Sequence, residues 1–332
     1  MRPPCSILYR TGRDPSLLTG GPLVMLENGN AHRGGGDGVL VVEADESDGS
    51  LVRYRPWRSV VLNLQRDHKE PAEVAEMFAT LADRTDGPPI RGDDPNLDFL
   101  GPEALCFGIG PGRGLRAESI ELAPDRSRFA CQGVPFDLPV PGRHNVLNAL
   151  AAAAACREAG VPLAESAEAL SAFRGVARRF RSLGAAGGVE VIDDFAHNPE
   201  KIRAALAAAH LRADRVLAVF QPHGFGPTRF LRDDLVEAFI ESLDEGDRLW
   251  LTEIYYAGGT VDRNISSRDI VEPVAATGRD ARVAASRADL PGLIADAARP
   301  GDLVIVMGAR DPSLSELCRD IHQTLARTLE RT

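Results

Sequence analysis

The sequence predicts an α/β protein of two domains, the second of which is a doubly wound parallel sheet. Three observations support this fold class. Apolar runs such as residues 38–43 and 59–64 are continuous rather than alternating, as is typical of parallel strands buried on both faces. From residue 189 onward, such runs alternate with segments of helical spacing. The 332 residues also fit about two domains, at roughly 150 residues per domain.

The first predicted domain covers residues 1–183 and begins without a recognisable first strand. Residues 1–38 are rich in glycine and proline, and the best helix candidate there is short, at 6–11. We therefore expect this α/β domain to be incomplete, with an exposed sheet edge or a gap in its core. Its remaining elements are predicted in this order: strands at 38–43 and 59–64, a helix at 71–82, short strands between 100 and 140, and helices at 145–160 and 163–173.

The second predicted domain covers residues 184–332 and follows a stretch of small residues at 182–188. Its alternating strands and helices are the pattern of a Rossmann-like sheet. Ligands of such sheets bind outside the carboxyl ends of the strands, so the segments after each strand are candidate site residues. The predicted elements are strands at 189–193, 215–220, 248–252 and 303–307, and helices at 199–210, 232–243, 267–276 and from about 313 onward.

Composition and charge argue against several classes of protein. Hydrophobic residues make up 44% and charged residues 26%, which excludes a largely disordered chain. Acidic residues outnumber basic ones, 48 to 38, so we expect no nucleic-acid partner. No apolar run suits a membrane span or a signal peptide, so we expect a cytoplasmic protein with no membrane partner. The five cysteines are scattered, which argues against disulfides and a zinc knuckle.

One common nucleotide-binding motif does not occur in this sequence. A P-loop requires a lysine directly after a glycine, and the two lysines, Lys69 and Lys201, follow other residues. The glycine tract at 34–36 contains no lysine and precedes a strand, whereas a P-loop follows one. The tract at 108–112 lacks the spacing and the helix of a dinucleotide-binding loop. We therefore expect weak nucleotide binding, and little or no turnover, by these residues alone.

Two candidate metal ligands follow predicted strands of the first domain. Four carboxylates, beginning with Glu43, lie within residues 43–48 at the end of a strand. Such a cluster favours Mg²⁺, which takes one or two carboxylates together with phosphate oxygens, although a solvated acidic turn is the alternative. His68, after the next strand, is a candidate metal ligand or general base. A single histidine is more often structural, and that alternative also stays open.

Residues 142–151 combine a glycine, a helix start and two asparagines, Asn145 and Asn148, which lie one helical turn apart. An asparagine amide both donates and accepts hydrogen bonds, so it can recognise the edge of a nucleotide base. Asn145 could instead cap the helix, and the two roles are compatible. The arginines within residues 173–180 could bind phosphate, or they could form salt bridges between the domains.

Taken in order, six segments resemble the motifs of the Mur ligase family, the ATP-dependent amide-forming enzymes of peptidoglycan synthesis. The resemblance covers roughly residues 12–310 and is strongest to the alanine-adding members. Six matches in the same order make it specific. The segments are Glu-Ala-Asp-Glu-Ser-Asp at 43–48, Asp-His at 67–68, Gly-Arg-His-Asn-Val-Leu-Asn-Ala-Leu-Ala at 142–151, Gly-Val-Ala-Arg-Arg-Phe at 175–180, Asp-Asp-Phe-Ala-His-Asn-Pro at 193–199 and Phe-Gln-Pro-His at 220–223.

The resemblance implies a nucleotide and metal site made of residues from both domains. Glu43 and His68 would bind Mg²⁺. Asn148 would contact adenine, with Asn145 close by. Asp194 would hold the ribose.

The resemblance also implies residues for the chemical steps and for the second substrate. Arg179 would reach the nucleotide phosphates, and His197 would lie near the nucleotide. His223 would lie near the incoming amino acid, and Arg229, six residues further along, is a second candidate for binding it. The implied catalytic residues are Glu43, His68, Arg179 and His197.

The activity that the resemblance implies is ATP-dependent joining of a carboxylate to an amine. ATP would phosphorylate a UDP-N-acetylmuramate-type carboxylate, and an amino acid would then attack the acyl phosphate. Mg²⁺ and arginine would offset the phosphate charge, which is most of what such catalysis requires. The implied cofactors are ATP and Mg²⁺, the implied partners are these small-molecule substrates, and no oligomeric state is implied.

The sequence also departs from the family pattern. Family members carry an N-terminal UDP-sugar-binding domain and a Gly-Lys-Thr/Ser loop, and neither is matched here. Residues 224–227, after His223, lack two arginines with which alanine-adding members bind the amino acid. Two alternatives therefore stay open: a catalytically inactive nucleotide- or partner-binding protein, and an unrelated Mg²⁺-dependent hydrolase built on Glu43 and His68.

Overall fold

The chain divides into two compact units, Met1–Ala177 and Arg178–Thr332. The sequence analysis placed this division at 183/184, which falls inside a strand formed by Arg181–Ala186. That strand is hydrogen-bonded to Val189–Asp194, so its pairing places it in the second unit. The computed structural model describes residues 2–19, 30–35, 38–46, 48–66, 69–173, 178–256, 258 and 261–329.

The described part of the first unit contains four α-helices, two short 3₁₀ helices and two sheets. One sheet has three strands in the order β2-β1-β3, and the other has six strands, β4 to β9, in sequence order. The helices are α1 (Arg2–Arg10), α2 (Pro71–Asp83), α3 (Arg143–Glu158) and α4 (Leu163–Ser171). The strands are β1 (Ser16–Leu18), β2 (Ala31–His32), β3 (Leu40–Val42), β4 (Val60–Val61), β5 (Ile90–Gly92), β6 (Leu105–Ile109), β7 (Leu115–Leu122), β8 (Ser127–Cys131) and β9 (Val134–Leu138).

Two apolar runs that predict buried strands form outer strands instead. β3 lies at the end of the three-stranded sheet, where Leu40 is 60% exposed. β4 lies at the end of the six-stranded sheet, where Val60 is 38% exposed. The strands are confirmed, but the prediction that both faces are covered is wrong, because a continuous apolar run cannot specify which layers will lie over it. The short helix predicted at 6–11 is α1, which starts earlier because prolines are tolerated in a first turn.

Helix α3 lies in the hydrophobic core of the first unit. Val146 and Leu150 are fully buried on it, together with most of its alanines. Its run of small side chains lets it lie close to α1 and α4 and to strands β5 to β8. The predicted helix is confirmed, although it begins at Arg143, two residues earlier than expected.

The residue before α3, Gly142, has to be a glycine for two reasons. Its φ of 100° lies in the region that side chains avoid, and a Cβ there would lie 2.7 Å from Cε1 of His144. The alternative that Asn145 caps the helix is wrong, because the cap position is Gly142 and no side chain caps it. The Asn145 Nδ2 instead donates a hydrogen bond to the carbonyl oxygen of Pro141 at 2.6 Å.

The described part of the second unit contains six α-helices and one short 3₁₀ helix around one six-stranded sheet. The sheet order is β10-β11-β15-β12-β13-β14, and every adjacent pair is parallel except β10 with β11. The strands are β10 (Arg181–Ala186), β11 (Val189–Asp194), β12 (Val216–Gln221), β13 (Arg248–Leu251), β14 (Asp280–Val283) and β15 (Leu303–Gly308). The helices are α5 (Pro199–His210), α6 (Phe225–Phe230), α7 (Arg232–Ser242), α8 (Arg268–Ala276), α9 (Leu290–Ala297) and α10 (Leu314–Leu329).

Both faces of this sheet carry a hydrophobic core, which confirms the doubly wound prediction. Successive residues of a strand point to opposite faces. Accordingly, Ile305 packs in the cluster on one face, whereas Val304 and Val306 pack in the cluster on the other. The sequence analysis missed β10 and β14, because both are outer strands with several partly exposed or polar residues. No helix within the described ranges is long and apolar enough to cross a membrane.

A buried carboxylate organises the amino ends of the strands in the second unit. Asp247 is 4% exposed, and its Oδ1 accepts a hydrogen bond from the backbone N–H of Val216 at 2.7 Å. Its Oδ2 accepts from the Asp244 N–H at 2.8 Å and lies 2.9 Å from Nε2 of His210. The hydrogen bond to Asp247 raises the pKa of His210 above its ordinary value of 6.5. The end of α5 is thereby fixed to the loop before β13.

Replacing Gly142 by alanine should destabilise the first unit by about 2 kcal/mol. The new Cβ would enforce an unfavourable φ and press on the His144 ring. Gly292→Ala, in α9, is the matched control, because a Cβ there meets no atom within 4 Å. Urea unfolding followed by circular dichroism measures both variants, and equal effects would contradict the interpretation.

Replacing His210 by glutamine should lower the unfolding free energy by about 1–2 kcal/mol at pH 6. Because Asp247 raises the folded-state pKa, the stabilisation is fully present below pH 6.5 and is lost as the pH rises through the folded pKa. Urea unfolding between pH 5.5 and 9 should therefore bring the variant and the parent together at high pH. His322→Gln controls for loss of a histidine. A difference in unfolding free energy between His210→Gln and the parent that does not vary with pH would contradict this explanation.

Candidate active site

The candidate active site of the second unit lies where β11, β15 and β12 end. These strands are adjacent and parallel, with Gln221 of β12 level with Gly308 of β15. Because parallel strands end at the same edge of a sheet, the segments that follow them lie side by side. This edge carries three residues that the sequence singled out, Asp194, His197 and His223.

Asp194 ends β11 and is 8% exposed. Its Oδ2 accepts a hydrogen bond from the Phe180 N–H, and its Oδ1 accepts one from the Ala196 N–H, both at 2.6 Å. Burial raises the pKa of Asp194 from 3.8 to about 6, although the Phe180 N–H and the nearby Arg179 act in the opposite direction. The carboxylate therefore fixes the strand end to the segment that precedes β10.

The Phe195 ring joins the arginines of this edge to its histidines. The guanidinium carbons of Arg178 and Arg179 both lie 5.0 Å from its centroid, within the range of cation–π attraction. The His197 ring stands edge-on to Phe195 at 5.3 Å, and the His223 ring lies 5.4 Å from that of His197. The structure thus brings together three predicted site residues, Arg179, His197 and His223.

The contacts of His197 define which of its ring nitrogens carries hydrogen. Nδ1 lies 2.8 Å from the carbonyl oxygen of Phe195, which can only accept, so Nδ1 donates. Nε2 lies 3.3 Å from Nζ of Lys201 and accepts from that ammonium group. Lys201 lies in the first turn of α5, which Asn198 caps through its Oδ1. Both ring nitrogens are therefore engaged, one by a carbonyl oxygen and the other by the ammonium group of Lys201.

Backbone strain is concentrated at this edge. Arg178, Phe180 and Arg310 have φ values of 56°, 48° and 64°. This left-handed conformation costs a residue other than glycine about 1–2 kcal/mol. The Nη2 of Arg178 donates to the carbonyl oxygen of Gly308 at 2.8 Å, and Phe180 is held by Asp194. Strained residues that their surroundings hold in place cluster at functional sites.

Two buried polar side chains at this edge are incompletely hydrogen-bonded. Gln221 is 5% exposed, and its Oε1 has no hydrogen-bond partner in the described part of the chain. Asp193, 3% exposed, accepts a hydrogen bond from Oγ of Ser315 at 2.5 Å, and Nε of Arg178 lies 3.6 Å from its other oxygen. Incompletely paired polar groups of this kind call for an explanation, and a ligand-binding role is one.

The first unit holds the two asparagines on α3. Asn145 and Asn148 are three residues apart and therefore share a face of the helix. The Asn145 amide is already bound to Pro141. The Asn148 amide is half-buried and forms no hydrogen bond with the residues that the structure describes. Asn148 is thus the one of the pair whose amide is available to a ligand.

The two predicted metal ligands differ in what the structure describes. Glu43 directly follows β3, is exposed, and donates its backbone N–H to the carbonyl oxygen of Leu18 at 2.8 Å. His68 lies outside the described residues. Among those that are described, no three His, Cys, Asp or Glu side chains form a ready metal-binding group. A single exposed carboxylate nevertheless fits Mg²⁺, which keeps several waters and takes phosphate oxygens from its substrate.

Arg229 contacts a different segment from the rings of Phe195, His197 and His223. It is exposed on α6, and its Nη2 donates to the carbonyl oxygen of Asp262 at 2.7 Å. The sequence analysis missed Arg178, Lys201 and Phe195. Arg178 lies within residues 173–180, whose arginines the sequence analysis gave as phosphate-binding candidates, but only Arg179 was assigned a role. No periodicity or motif reports the contacts of Lys201 and Phe195.

A doubly wound sheet whose carboxyl edge carries arginines, histidines and a buried carboxylate is typical of α/β proteins that bind anionic small molecules. The sequence profile described as "Mur ligase, glutamate ligase domain" matches residues 178–310. The UDP-N-acetylmuramate–L-alanine ligase of Sorangium cellulosum (strain So ce56) is 37% identical over 331 residues, covering 92% of this chain and 68% of that protein. The enzyme of the same name from Stenotrophomonas maltophilia (strain K279a) is 36% identical, with the same coverage.

The chain therefore belongs to the Mur ligase family, whose members are ATP-dependent ligases of peptidoglycan precursors. Among solved structures, the UDP-N-acetylmuramate–alanine ligase of Thermotoga maritima matches with a TM-score of 0.78 and 25% identity, covering 100% of this chain and 73% of that one. The MurF ligase of the same organism, in complex with ADP, matches with a TM-score of 0.70 at 16% identity, which supports the fold alone. The resemblance and the fold class predicted from the sequence are confirmed.

Because the pKa of Asp194 is raised, we expect the free energy of unfolding to depend on pH. Because the folded chain binds this proton more tightly than the unfolded chain does, the stabilising contribution is present below pH 3.8 and is lost as the pH rises through about 6. Asp194→Asn should remove about 2–3 kcal/mol of pH-dependent unfolding free energy between pH 4 and 7. Urea unfolding measures it, and Asp320→Asn, on the surface of the same unit, is the control. An unchanged pH profile in Asp194→Asn would contradict this assignment.

Proposed function

We propose that this chain acts as an ATP-dependent carboxylate–amine ligase that joins an amino acid to a UDP-N-acetylmuramate-type carboxylate through an acyl phosphate. The observation that carries the proposal is the cluster at the carboxyl edge of the second unit. There, Arg178 and Arg179 flank Phe195 beside the paired rings of His197 and His223. The substrates are proposed from the relatives named UDP-N-acetylmuramate–L-alanine ligase.

The arginines suit the first chemical step. A carboxylate oxygen of the substrate attacks the γ-phosphorus of ATP, and the bond to the β-phosphate oxygen breaks to release ADP. Such transfer depends mainly on positioning and on offsetting negative charge. Arg179 is exposed and lies over Phe195, which orients its guanidinium without neutralising it. We assign Arg179 to the nucleotide phosphates and Asp194 to the ribose, since each oxygen of Asp194 can accept a second hydrogen bond.

The histidines suit the second step. The amine nitrogen attacks the acyl carbon, the bond from that carbon to the phosphate oxygen breaks, and the nitrogen loses a proton. We assign this proton to His197, whose Nε2 must first exchange the hydrogen bond from Lys201 for one from the amine. We assign His223 and Arg229 to the amino acid, with His223 directly beside His197.

The first unit is proposed to contribute the base and metal contacts. Asn148, whose amide is available, would bind adenine, and Asn145 would lie close to it. Glu43 would hold Mg²⁺ together with His68. When bound, Mg²⁺ would help to neutralise the charge of the phosphate groups.

ADP release is the direct test. The purified chain is incubated with Mg-ATP, UDP-N-acetylmuramate and L-alanine, and ADP is measured with each component omitted in turn. ADP release that requires both other substrates supports the ligase. ATP binding without substrate-dependent ADP release favours the alternative of a catalytically inactive nucleotide-binding protein. The absence of ATP binding would contradict the ligase and would leave only the partner-binding form of that alternative.

Two substitutions sharpen this test. Asn148→Ala should weaken ATP binding about 10-fold through loss of a base contact, measured by calorimetry. Asn96→Ala, an exposed asparagine of the same unit, is the matched control and should bind ATP normally. Arg179→Ala should lower kcat by about 10²-fold or more, because charge stabilisation in the transition state is lost. An Arg179→Ala enzyme with full turnover would remove Arg179 from the mechanism.

A further inference from the structure

The loop after β15 is cross-linked by an ion pair in which the carboxylate is buried and the arginine is partly exposed. Asp311 is 4% exposed, and its Oδ2 accepts from Nη1 of Arg287 at 2.7 Å. Its Oδ1 accepts from the N–H of Ser313 at 2.9 Å and from the Ser313 hydroxyl. The Asp311 N–H also donates to the carbonyl oxygen of Ala309 at 2.7 Å. Residues 309–313 are therefore a rigid support.

Arg310 lies on this support in a strained conformation. Its φ of 64° is one that glycine adopts freely and arginine does not. Its neighbours Ala309 and Asp311 are buried, whereas Arg310 is exposed. In the described part of the chain, its guanidinium forms no hydrogen bond or ion pair. A rigid backbone thus presents an unneutralised planar cation to solvent.

The register of the sheet brings the segments that carry Arg310 and His223 to the same edge, where their strands end side by side. Gln221 and Gly308 are level in the parallel pair of β12 and β15, and His223 and Arg310 each follow their partner by two residues. Three carboxylates of this edge are bound within the chain: Asp311 by Arg287, Asp193 by Ser315, and Asp194 by two backbone N–H groups. None of these hydrogen bonds involves Arg310, so its guanidinium is available to an external anion.

We propose that Arg310 binds the carboxylate of the incoming amino acid at the edge marked by His223. This inference rests on the proposed ligase function. A guanidinium binds a carboxylate through two parallel hydrogen bonds, which fixes the orientation of the molecule as well as its affinity. Orientation by the carboxylate leaves the amine at the other end of the amino acid free to attack. Arg310 is thus a binding residue and takes no part in proton transfer.

The test compares L-alanine with L-alaninamide, which differs by loss of the carboxylate charge. Binding of each to the full chain is followed by saturation-transfer NMR. Arg310→Gly suits the backbone conformation and removes the cation, so it should weaken L-alanine binding about 10-fold and leave L-alaninamide binding unchanged. Arg310→Lys should recover part of the loss, because it keeps the charge but not the two-pronged geometry. Where turnover is measurable, KM for L-alanine should rise while kcat changes little.

Gln132→Gly is the matched control for relief of strain. Gln132 has a φ of 49° and lies in the first unit, so this variant should leave L-alanine binding unchanged. Unaltered L-alanine binding in Arg310→Gly, equal weakening of both probes, or no L-alanine binding by the parent would each overturn the proposal. Failure of the ligase function itself is read separately, from ADP release that does not depend on the carboxylate substrate.

Discussion

The register of three buried parallel strands is the constraint on which the site of the second unit depends. β11, β15 and β12 are hydrogen-bonded side by side, and all residues of β12 and β15 are buried. A slip of one residue would turn every side chain to the opposite face, so the two hydrophobic cores hold the register. Asp194, His197 and His223 lie at one edge because that register is fixed. Arg310 follows β15, the middle one of these strands, and lies at that edge for the same reason.

The apolar faces and the polar edge of this sheet have opposite energetic characters. The faces bury Ile305 on one side and Val304 on the other, and they stabilise the fold. The edge holds a desolvated carboxylate, Asp194, and left-handed residues such as Arg178, each of which costs stability. Because the cores are large, the edge can keep groups in conformations that suit a ligand rather than the fold. Stability and binding are thus divided between different parts of one sheet.

Much of the candidate site was predictable from the order of its motifs, and the remainder was not. Asp194, His197 and His223 stand in segments that resemble family motifs, so they were found without coordinates. Lys201 was noted only as a lysine that does not follow a glycine. Its contact with Nε2 of His197 depends on the conformation of the chain at the start of α5. Phe195 was passed over as an ordinary apolar residue, because a sequence does not report what lies over a ring.

The sequence by itself determined the order of the strongly patterned helices and strands, the doubly wound class of the second unit and the family. These follow from periodicity and from short motifs, which are local in the chain. Only the tertiary structure decided that β3 and β4 are outer strands, that β10 belongs to the second unit, and that Asp194 has a raised pKa. Burial, pairing partners and desolvation depend on residues far apart in sequence. A local pattern therefore specifies what a segment is, but the packed fold specifies what surrounds it.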